Sequence, residues 1–391
     1  MDNDITIYLS PVDIKNYTTP NNHNGQTMLQ KIYINEDNSL PDLKNIDIAI
    51  VGIEEDRNSL YNNGCGLTST RFRDYFYKLA PVSDNQKIID MGNIKKGNSV
   101  EDSYFALKDV IVELIKNNVV VIIIGGSQDI TYSQYIAYEE LEQTINLVNV
   151  DRIFDISPNL NEPINSNNYM SKIMLKENNR LFNYANIGYQ TYYVGRENIS
   201  LMNKLYFDAY RLGEIHNNIE EVEPVVRNAD TITFDMSSIR HSDSPAYYEA
   251  LPNGFYGEEA CQITRYAGLS DKLTSIGFYE LNPKYDKKGI SLTLLSQMIW
   301  YFIDGFYNRM NDIPNKNSSD FMKYEAIIAN GKYTIPFYKS KKSNRWWMEV
   351  TYPVKRNDYF RHTLIPCSYN DYLTAIEHDE IPDKWWQAYQ K

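Results

Sequence analysis

Histidine, cysteine and basic residues are all scarce in this sequence, and each shortage excludes a class of protein. Only five histidines occur among 391 residues, and none lies between residues 24 and 215, so most of the chain cannot supply an imidazole ligand or proton shuttle. Cys65, Cys261 and Cys367 are widely spaced and form no CxxC pair, which argues against structural zinc and favours a reducing compartment. The formal net charge of −12 disfavours binding to nucleic acid or to an anionic membrane.

Long apolar runs are absent too. The most apolar stretches are residues 119–124, which are too few to cross a bilayer, and residues 291–307, which polar side chains interrupt. Asp2 and Asp4 stand where a secretory signal carries positive charge. We therefore expect a cytoplasmic protein without a transmembrane segment. With 42% apolar and 23% charged residues, the chain has the composition of a globular protein with a large core.

Up to about residue 307, short β-branched runs alternate with amphipathic stretches of helical length, which is typical of a parallel α/β sheet. Strands are predicted over residues 47–52, 87–90, 119–124, 145–150, 185–189, 231–234 and 273–278. Helices are predicted over residues 102–116, 257–268 and 292–306. Residues 119–124 are apolar throughout, as a strand covered on both faces must be, and we expect them near the centre of the sheet.

Four parts are predicted along the chain: an N-terminal segment (1–45), an α/β domain (46–310), a polar linker (311–319) and an appendage (320–391). In the appendage, residues 332–338 and 345–352 can pair as a hairpin, and Ser368 with Asp371 can open a short helix. The polar connection over residues 157–169 follows a strand, where open α/β sheets place binding loops.

The appendage is rich in aromatic residues and holds four of the five tryptophans, Trp346 with Trp347 and Trp385 with Trp386. Adjacent strand residues face opposite sides, so we expect one of Trp346 and Trp347 to pack against the main domain and the other to meet a partner or the C-terminal helix. Aromatic anchors are typical of interfaces, which predicts a protein partner or a homo-oligomer. The alternative is that both pairs close the appendage onto its own chain.

Acidic segments stand at four of the predicted strand ends. They are Gly125-Gly126-Ser127-Gln128-Asp129, Asp151-Arg152-Ile153-Phe154-Asp155, Asp235-Met236-Ser237 and Glu280-Leu281-Asn282-Pro283. Asp151 and Asp155 can converge on one side of the chain, and such like charges raise one another's pKa unless a cation lies between them. Taken singly, each aspartate is more simply a strand end or a helix cap. The ordered set points to a site.

In this order the segments resemble the ureohydrolase family of arginase, agmatinase and formimidoylglutamase, and formimidoylglutamase most. The similarity covers about residues 46–307 and includes the segments at 52–56, 64–73, 90–94, 253–255 and 259–269. It implies a three-layer α/β/α sandwich with a central, mostly parallel sheet, and it leaves out the C-terminal α+β appendage. It also implies two Mn²⁺ ions that share a bridging hydroxide at the carboxyl ends of the central strands.

Three of the family's metal-ligand positions are altered in this chain. Family members read GGDHS at residues 125–129, where the histidine has become Gln128. They read DAHxD at residues 151–155, where the histidine has become Ile153, and DxD at residues 235–237, where the second aspartate has become Ser237. An aliphatic side chain cannot bind a metal and a neutral hydroxyl binds weakly, so the ion that needs Ile153 and Ser237 should be missing.

The other ion keeps most of its ligands. The residues that the resemblance assigns to it are Gln128, Asp151, Asp155 and Asp235. Three carboxylates and an amide oxygen suit a hard cation. We therefore expect no dinuclear cofactor and at most a single divalent cation, Mn²⁺, Mg²⁺ or Ca²⁺.

Four further residues near the motifs have open interpretations. Glu280 matches the family glutamate that pairs with the cationic nitrogen of the substrate, and it could equally be a structural acceptor. Arg152 and Arg240 are possible replacements for the charge of the missing ion, on adjacency alone. His241 is expected to be a loop histidine bonded to Asp243 rather than a metal ligand.

The function that we expect is that of a pseudoenzyme of the ureohydrolase fold, which acts as a binding or scaffold component of a protein assembly and has no catalytic residues. The alternative is an active C–N hydrolase of the formimidoylglutamase or arginase type that uses one metal ion on a linear amidine or guanidino compound. The altered ligand positions favour the first, because three changes in one site exceed what a single register error could produce.

Overall fold

The structure is a computed structural model that describes residues 4–17, 26–159, 161–314, 318–328, 331–351 and 364–391. Its strands are β1 (Leu9–Ser10), β2 (Tyr33–Ile34), β3 (Ile48–Ile53), β4 (Ile88–Ile94), β5 (Val120–Ile124), β6 (Ile145–Val150), β7 (Leu181–Tyr189), β8 (Asp208–Arg211), β9 (Thr231–Asp235), β10 (Ser275–Tyr279), β11 (Phe321–Ile328), β12 (Tyr333–Ser340), β13 (Trp346–Glu349) and β14 (Leu364–Cys367). Its helices are α1 (Met28–Lys31), α2 (Thr68–Arg71), α3 (Arg73–Phe76), α4 (Val100–Lys116), α5 (Thr131–Glu140), α6 (Tyr169–Met174), α7 (Arg196–Lys204), α8 (Leu212–Asn217), α9 (Val222–Arg227), α10 (Gly257–Gly268), α11 (Ile290–Tyr307), α12 (Tyr369–Glu377) and α13 (Asp383–Gln390). The predicted linker residues 315–317, the predicted strand end at Tyr352, and His23 and His362 lie outside the described residues.

Within the described residues, ten strands form one sheet in the order β1-β4-β3-β5-β10-β9-β6-β7-β8, with β2 also paired to β4. β1 is antiparallel to β4, and the other neighbours in the sheet are parallel. β5 lies between β3 and β10, which confirms its predicted place in the middle of the sheet. The segment before residue 46 contributes β1 and β2 and so completes the β4 edge.

Helices cover both faces of this sheet. In β5, Val120 and Ile122 pack in the core beneath α10 and α11, whereas Val121 and Ile123 pack in the core beneath α4. All four side chains are at most 5% exposed, as the apolar sequence of this strand predicts. The predicted three-layer α/β/α sandwich is confirmed.

The appendage is a four-stranded antiparallel sheet, β11-β12-β13-β14, with α12 and α13 beside it. The predicted hairpin is present as β12 and β13. The predicted helix start is also present, because Ser368 and Asp371 form a reciprocal capping box at α12. Among the residues that the structure describes, no helix is both long and apolar enough to cross a membrane.

Most of the tryptophans that were expected at a partner surface are buried within the chain. Trp347 faces the main domain with its ring 4.3 Å from the guanidinium carbon of Arg227, and Trp346 stacks on Tyr372 of α12 at 4.9 Å. The opposite facing of these two residues is as predicted. Trp346, Trp347 and Trp385 are at most 8% exposed, and Trp386 is 48% exposed. Three of the four tryptophans named for an interface are therefore buried within the chain, because they form the core and the docking face of the appendage.

Candidate functional site

The four acidic segments meet because their strands are neighbours in the sheet. β5, β10, β9 and β6 lie side by side and run parallel, so their carboxyl ends form one edge. The side chains brought together there are Gln128 after β5, Asp151 and Asp155 after β6, Asp235 at the end of β9 and Glu280 after β10. None of these residues is more than 7% exposed, so the cluster is closed off from bulk water.

The amide of Gln128 is held by hydrogen bonds to its nitrogen. Nε2 donates to Asn149 Oδ1 at 3.1 Å and to Thr233 Oγ1 at 2.9 Å, which leaves the buried Oε1 without a partner among the described residues. The chain reaches this position through a turn at Gly125 and Gly126, whose φ values are 96° and 80°. A Cβ atom on Gly126 would lie 2.4 Å from a backbone carbonyl oxygen, so the turn requires glycine.

Asp151 and Asp155 converge as the sequence predicts, and their carboxyl groups share a hydrogen bond. Asp155 has a left-handed backbone with a φ of 53°, which is uncommon outside glycine. Burial first, and then the charge of Asp151, raises the pKa of Asp155 well above its usual range. The Oδ2 atom of Asp155 is buried and has no hydrogen-bond partner among the described residues.

Asp235 lies beside this pair. Its Oδ1 accepts a hydrogen bond from the backbone N–H of Ser237 at 2.6 Å. Burial, followed by the charges of Asp151 and Glu280, raises the pKa of Asp235 well above its usual range. The hydroxyl of Ser237 is buried without a partner among the described residues, and Ile153 packs against the hydrophobic cluster around Phe154. Neither altered position adds a strong ligand.

Glu280 is occupied by protein donors. Its Oε1 accepts from the backbone N–H of Gln128 at 2.9 Å and its Oε2 from Asn62 Nδ2 at 2.7 Å. Burial raises the pKa of Glu280 to about 7 even though these two donors oppose the rise. Of the two interpretations open from sequence, this geometry favours the structural acceptor.

Arg152 is the cation nearest to the buried carboxyl groups. Its guanidinium carbon lies 5.1 Å from the ring centre of Tyr247 and 5.6 Å from that of Tyr193. Burial would lower the pKa of Arg152, but Tyr247, Asp235 and Asp151 reverse this and raise it. The half-buried guanidinium lowers the pKa values of Asp151 and Asp235 by its charge, and its replacement of a missing ion stays a hypothesis.

Arg240 and His241 are placed differently. Arg240 forms an ion pair with Asp243 at 3.0 Å and stacks on Tyr256, so its charge is compensated there and not in the acidic cluster. The expected bond from His241 to Asp243 is not formed, because Asp243 already accepts from Arg240, Ser242 and the backbone of residue 257. The side chain of His241 is exposed.

The donor set does not fit two manganese ions. The second position would require metal donors at Ile153 and Ser237, which supply a packed aliphatic group and a neutral hydroxyl. In the part of the chain that the structure describes, no group of three or more His, Cys, Asp or Glu side chains is arranged to hold a metal ion. The unpartnered oxygens of Gln128 and Asp155 are the acceptors that a single cation could use.

Sequence reasoning missed the residues that hold this cluster in place. They are Asn62, Asn149, Tyr169, Tyr184, Tyr193, Thr233 and Tyr247. Thr233 could have been found, since it precedes Asp235 by two residues on one strand and so shares its face. Tyr247 lies in a loop and Asn62 in a distant turn, and no local pattern marks either of them.

Comparison with known proteins agrees with the fold. A family model described as the arginase family matches residues 46–304. A curated formimidoylglutamase from Staphylococcus haemolyticus is 27% identical over 242 residues, which cover 58% of this chain and 75% of that protein. The manganese-bound formiminoglutamase of Trypanosoma cruzi superposes with a TM-score of 0.63 at 20% identity, over 69% of this chain and 97% of that one. Formimidoylglutamase from Bacillus subtilis superposes with a TM-score of 0.65 at 15% identity, over 75% and 96% respectively.

Proposed function

This chain belongs to the arginase family, and from that premise we propose that it is a catalytically degenerate member that acts as a binding or scaffold component of a protein assembly. The observation that carries the proposal is the pair of altered positions, Ile153 and Ser237. Without metal-binding side chains at these two positions, the chain cannot assemble a two-metal centre of the kind that the manganese-bound formiminoglutamase suggests.

A loss of one ion has a direct chemical consequence. Two metal ions together lower the pKa of a shared water and orient it for attack on an amidine or guanidino carbon. In this chain the side chains at the second position are the sec-butyl group of Ile153 and the hydroxyl of Ser237, and burial raises the pKa of Asp155 well above its usual range, which disfavours the charged form that a metal ligand needs. An activated hydroxide should therefore be scarce near pH 7.

Proton transfer is also poorly supported. The segment from residue 24 to 215 contains no histidine, and this includes the loop that follows Asp155. Two buried phenols of the cluster, Tyr169 and Tyr184, have pKa values that burial raises well above their usual range. Neither phenol can act as a base at neutral pH, because an efficient general base needs a pKa close to the working pH.

A binding role makes use of what remains. The cluster holds several buried acceptors, and a small cationic or amidine-like molecule is the ligand class that they would suit. For a protein partner, Trp386 on α13 is the exposed aromatic side chain of the four first named, and the assembly proposal now rests on it. The cytoplasm is the compartment that we propose, since the three cysteines are buried and free.

The second candidate is a hydrolase of linear amidines that works with one divalent cation. The unpartnered Oε1 of Gln128 and Oδ2 of Asp155 favour it, because buried acceptors are normally satisfied and a hard cation would satisfy both. The curated relatives of this chain include formimidoylglutamases, so formimidoylglutamate is the first substrate to test.

The two candidates are separated by metal content and turnover measured on one preparation. Protein loaded with Mn²⁺ and desalted is analysed for metal, and release of formamide, ammonia or urea from formimidoylglutamate, agmatine and arginine is followed. We expect at most one equivalent of metal and no turnover. Two equivalents of manganese with turnover would end the pseudoenzyme proposal, and one equivalent with turnover would establish the second candidate.

A matched variant checks the cause. The triple variant Gln128→His, Ile153→His, Ser237→Asp restores the missing metal donors. We expect this variant to bind two manganese ions, whereas the parent protein does not. Ile153→Leu is the control, since it changes the same position without adding a donor. A triple variant that folds but binds no more metal than the control would show that the cluster has been remodelled beyond its ligands.

A further inference from the structure

A second site lies outside the acidic cluster. We propose that the cavity between the loop that follows β7, helix α8 and the loop before α10 binds a small planar organic anion, a carboxylate or phosphate carried on a flat group. This inference is independent of whether the acidic cluster is catalytic.

The cavity has a volume of about 460 Å³, which is within the range of small-molecule sites. Its lining includes Arg211, Arg240, Tyr192 and Tyr256 and contains no aspartate or glutamate. That composition is unusual for a protein with a net charge of −12. A concave surface with two guanidinium groups and no carboxylate attracts anions.

Each arginine forms an ion pair through Nε with a carboxylate that is not part of the lining of this cavity. Arg211 Nε pairs with Glu214 at 3.3 Å, and Arg240 Nε pairs with Asp243 at 3.0 Å. Neither carboxylate lines the cavity. In the described part of the chain, no acceptor is hydrogen-bonded to the terminal Nη atoms of these two residues, so each can offer a pair of N–H groups to a carboxylate or phosphate.

The requirement for a planar group comes from the aromatic wall. The guanidinium carbon of Arg240 lies 4.1 Å from the ring centre of Tyr256, and the His216 ring stacks on the same tyrosine at 5.0 Å. His216 is itself held by Glu259 at 2.7 Å. These contacts fix the Tyr256 ring, while Tyr192 remains 65% exposed. A flat ligand can therefore stack on the exposed ring of Tyr192 while its charge meets the arginines.

Isothermal titration calorimetry on the full chain tests the proposal, with phenyl phosphate and benzoate as the anionic probes. Phenol and benzamidine are the neutral and cationic counterparts of the same shape. We expect one equivalent of phenyl phosphate or benzoate to bind and phenol not to bind, and the stronger of the two anions identifies the phosphate or the carboxylate. Arg211→Gln with Arg240→Gln should weaken binding roughly tenfold or more, because each removes charged hydrogen bonds.

Arg196→Gln is the matched control, since Arg196 is an exposed arginine that does not line the cavity, and it should bind like the parent protein. If the double variant is unstable, Arg211→Gln alone serves, because the Arg211 side chain is 51% exposed and its loss should leave the fold intact. Equal binding by the parent and the variants, binding of benzamidine in preference to the anions, or no binding at millimolar probe would each overturn the proposal.

Discussion

At the scale of single residues, the acidic cluster is stabilised by protons and one guanidinium. Asp151, Asp155 and Asp235 are at most 7% exposed, and charges in such a place are costly unless they are paired or neutralised. Burial raises the pKa values of Asp155 and Asp235 well above their usual range, which favours the neutral forms of both. The positive charge of Arg152 opposes this rise at Asp151 and Asp235.

Arg152→Gln should therefore destabilise the fold more at pH 8 than at pH 5. The pKa values of Asp151 and Asp235 are raised in the folded state, so their contribution to stability is lost as pH rises, and Arg152 limits that loss by lowering both pKa values. At pH 5 more of the cluster is protonated and the guanidinium has less charge to compensate. We expect a decrease of about 1–2 kcal/mol in the free energy of unfolding at pH 8, because the side chain is only half-buried.

Urea unfolding at the two pH values measures this effect. Arg196→Gln is again the control and should change the free energy of unfolding by less than about 0.5 kcal/mol at either pH. An equal loss for Arg152→Gln at both pH values would show that Arg152 acts by packing on Tyr247 and Tyr193 and not through its charge.

At the scale of elements, periodicity predicted the three longest helices and the central strands, but it missed α5, α7 and β11 and the shortest strands. Helix 257–268 was predicted with its observed bounds, and β5 and β6 to within one residue. β1, β2 and β8 have two to four residues, which is too few for alternation to be recognised. They form because the edges of β4 and β7 offer them hydrogen bonds. The sequence of each short segment does not show that such an edge is available.

Arg227 of α9 joins the appendage to the main domain through several contacts at once. Arg227 donates to Glu223 within the helix, to the backbone carbonyl of Trp346 at 3.0 Å and to that of Cys367 at 3.4 Å. The same guanidinium lies over the ring of Trp347. Arg227 is 6% exposed, so each of these contacts is largely shielded from water.

Arg227→Ala should lower the free energy of unfolding by about 2–4 kcal/mol, because the buried carbonyl oxygens of Trp346 and Cys367 lose this donor and Trp347 loses the guanidinium packed on its ring. It should also make the appendage more sensitive to limited proteolysis than the α/β domain. Lys342→Ala is the comparison, since the Lys342 ion pair with Asp320 is about half-exposed on both sides and should contribute less than about 1 kcal/mol. Similar stability of the two variants would mean that β14 and α13 hold the appendage without Arg227.

At the scale of the whole molecule, the appendage and the acidic cluster lie at opposite ends of the sheet. Lys391, at the end of α13, bonds to Asn183 and lies near Asp208, which stand at the amino ends of β7 and β8. The acidic cluster is at the carboxyl ends. A partner bound to the appendage would therefore leave the acidic edge open.

If the appendage mediates self-association through α13, the particle mass in solution should exceed the chain mass of 45.6 kDa, and Trp386→Ala should lower it. An exposed tryptophan at an interface centre typically contributes 2 kcal/mol or more, roughly a thirtyfold change in affinity. Light scattering during size-exclusion chromatography gives the mass. Phe105→Ala, which removes an aromatic side chain that is 57% exposed on α4, should have no effect.

A monomeric parent protein would exclude self-association, and a stable partner of another kind would then be required by the scaffold proposal. An oligomer whose mass is the same in Trp386→Ala would place its interface elsewhere on the chain.

The amino-acid sequence alone determined the family, the α/β/α class, the altered ligand positions and the residues at the strand ends, because these depend on periodicity and on motifs that are local in the chain. Only the tertiary structure decided how far burial shifts the pKa values of the cluster and which tryptophans are buried. It also placed Arg240 in a cavity away from the cluster beside which Arg152 lies. The physical reason is that burial and charge compensation depend on which distant side chains meet. Two such contacts are those of Arg152 with Tyr247 and of Arg227 with Trp347. No local sequence pattern predicts either of them.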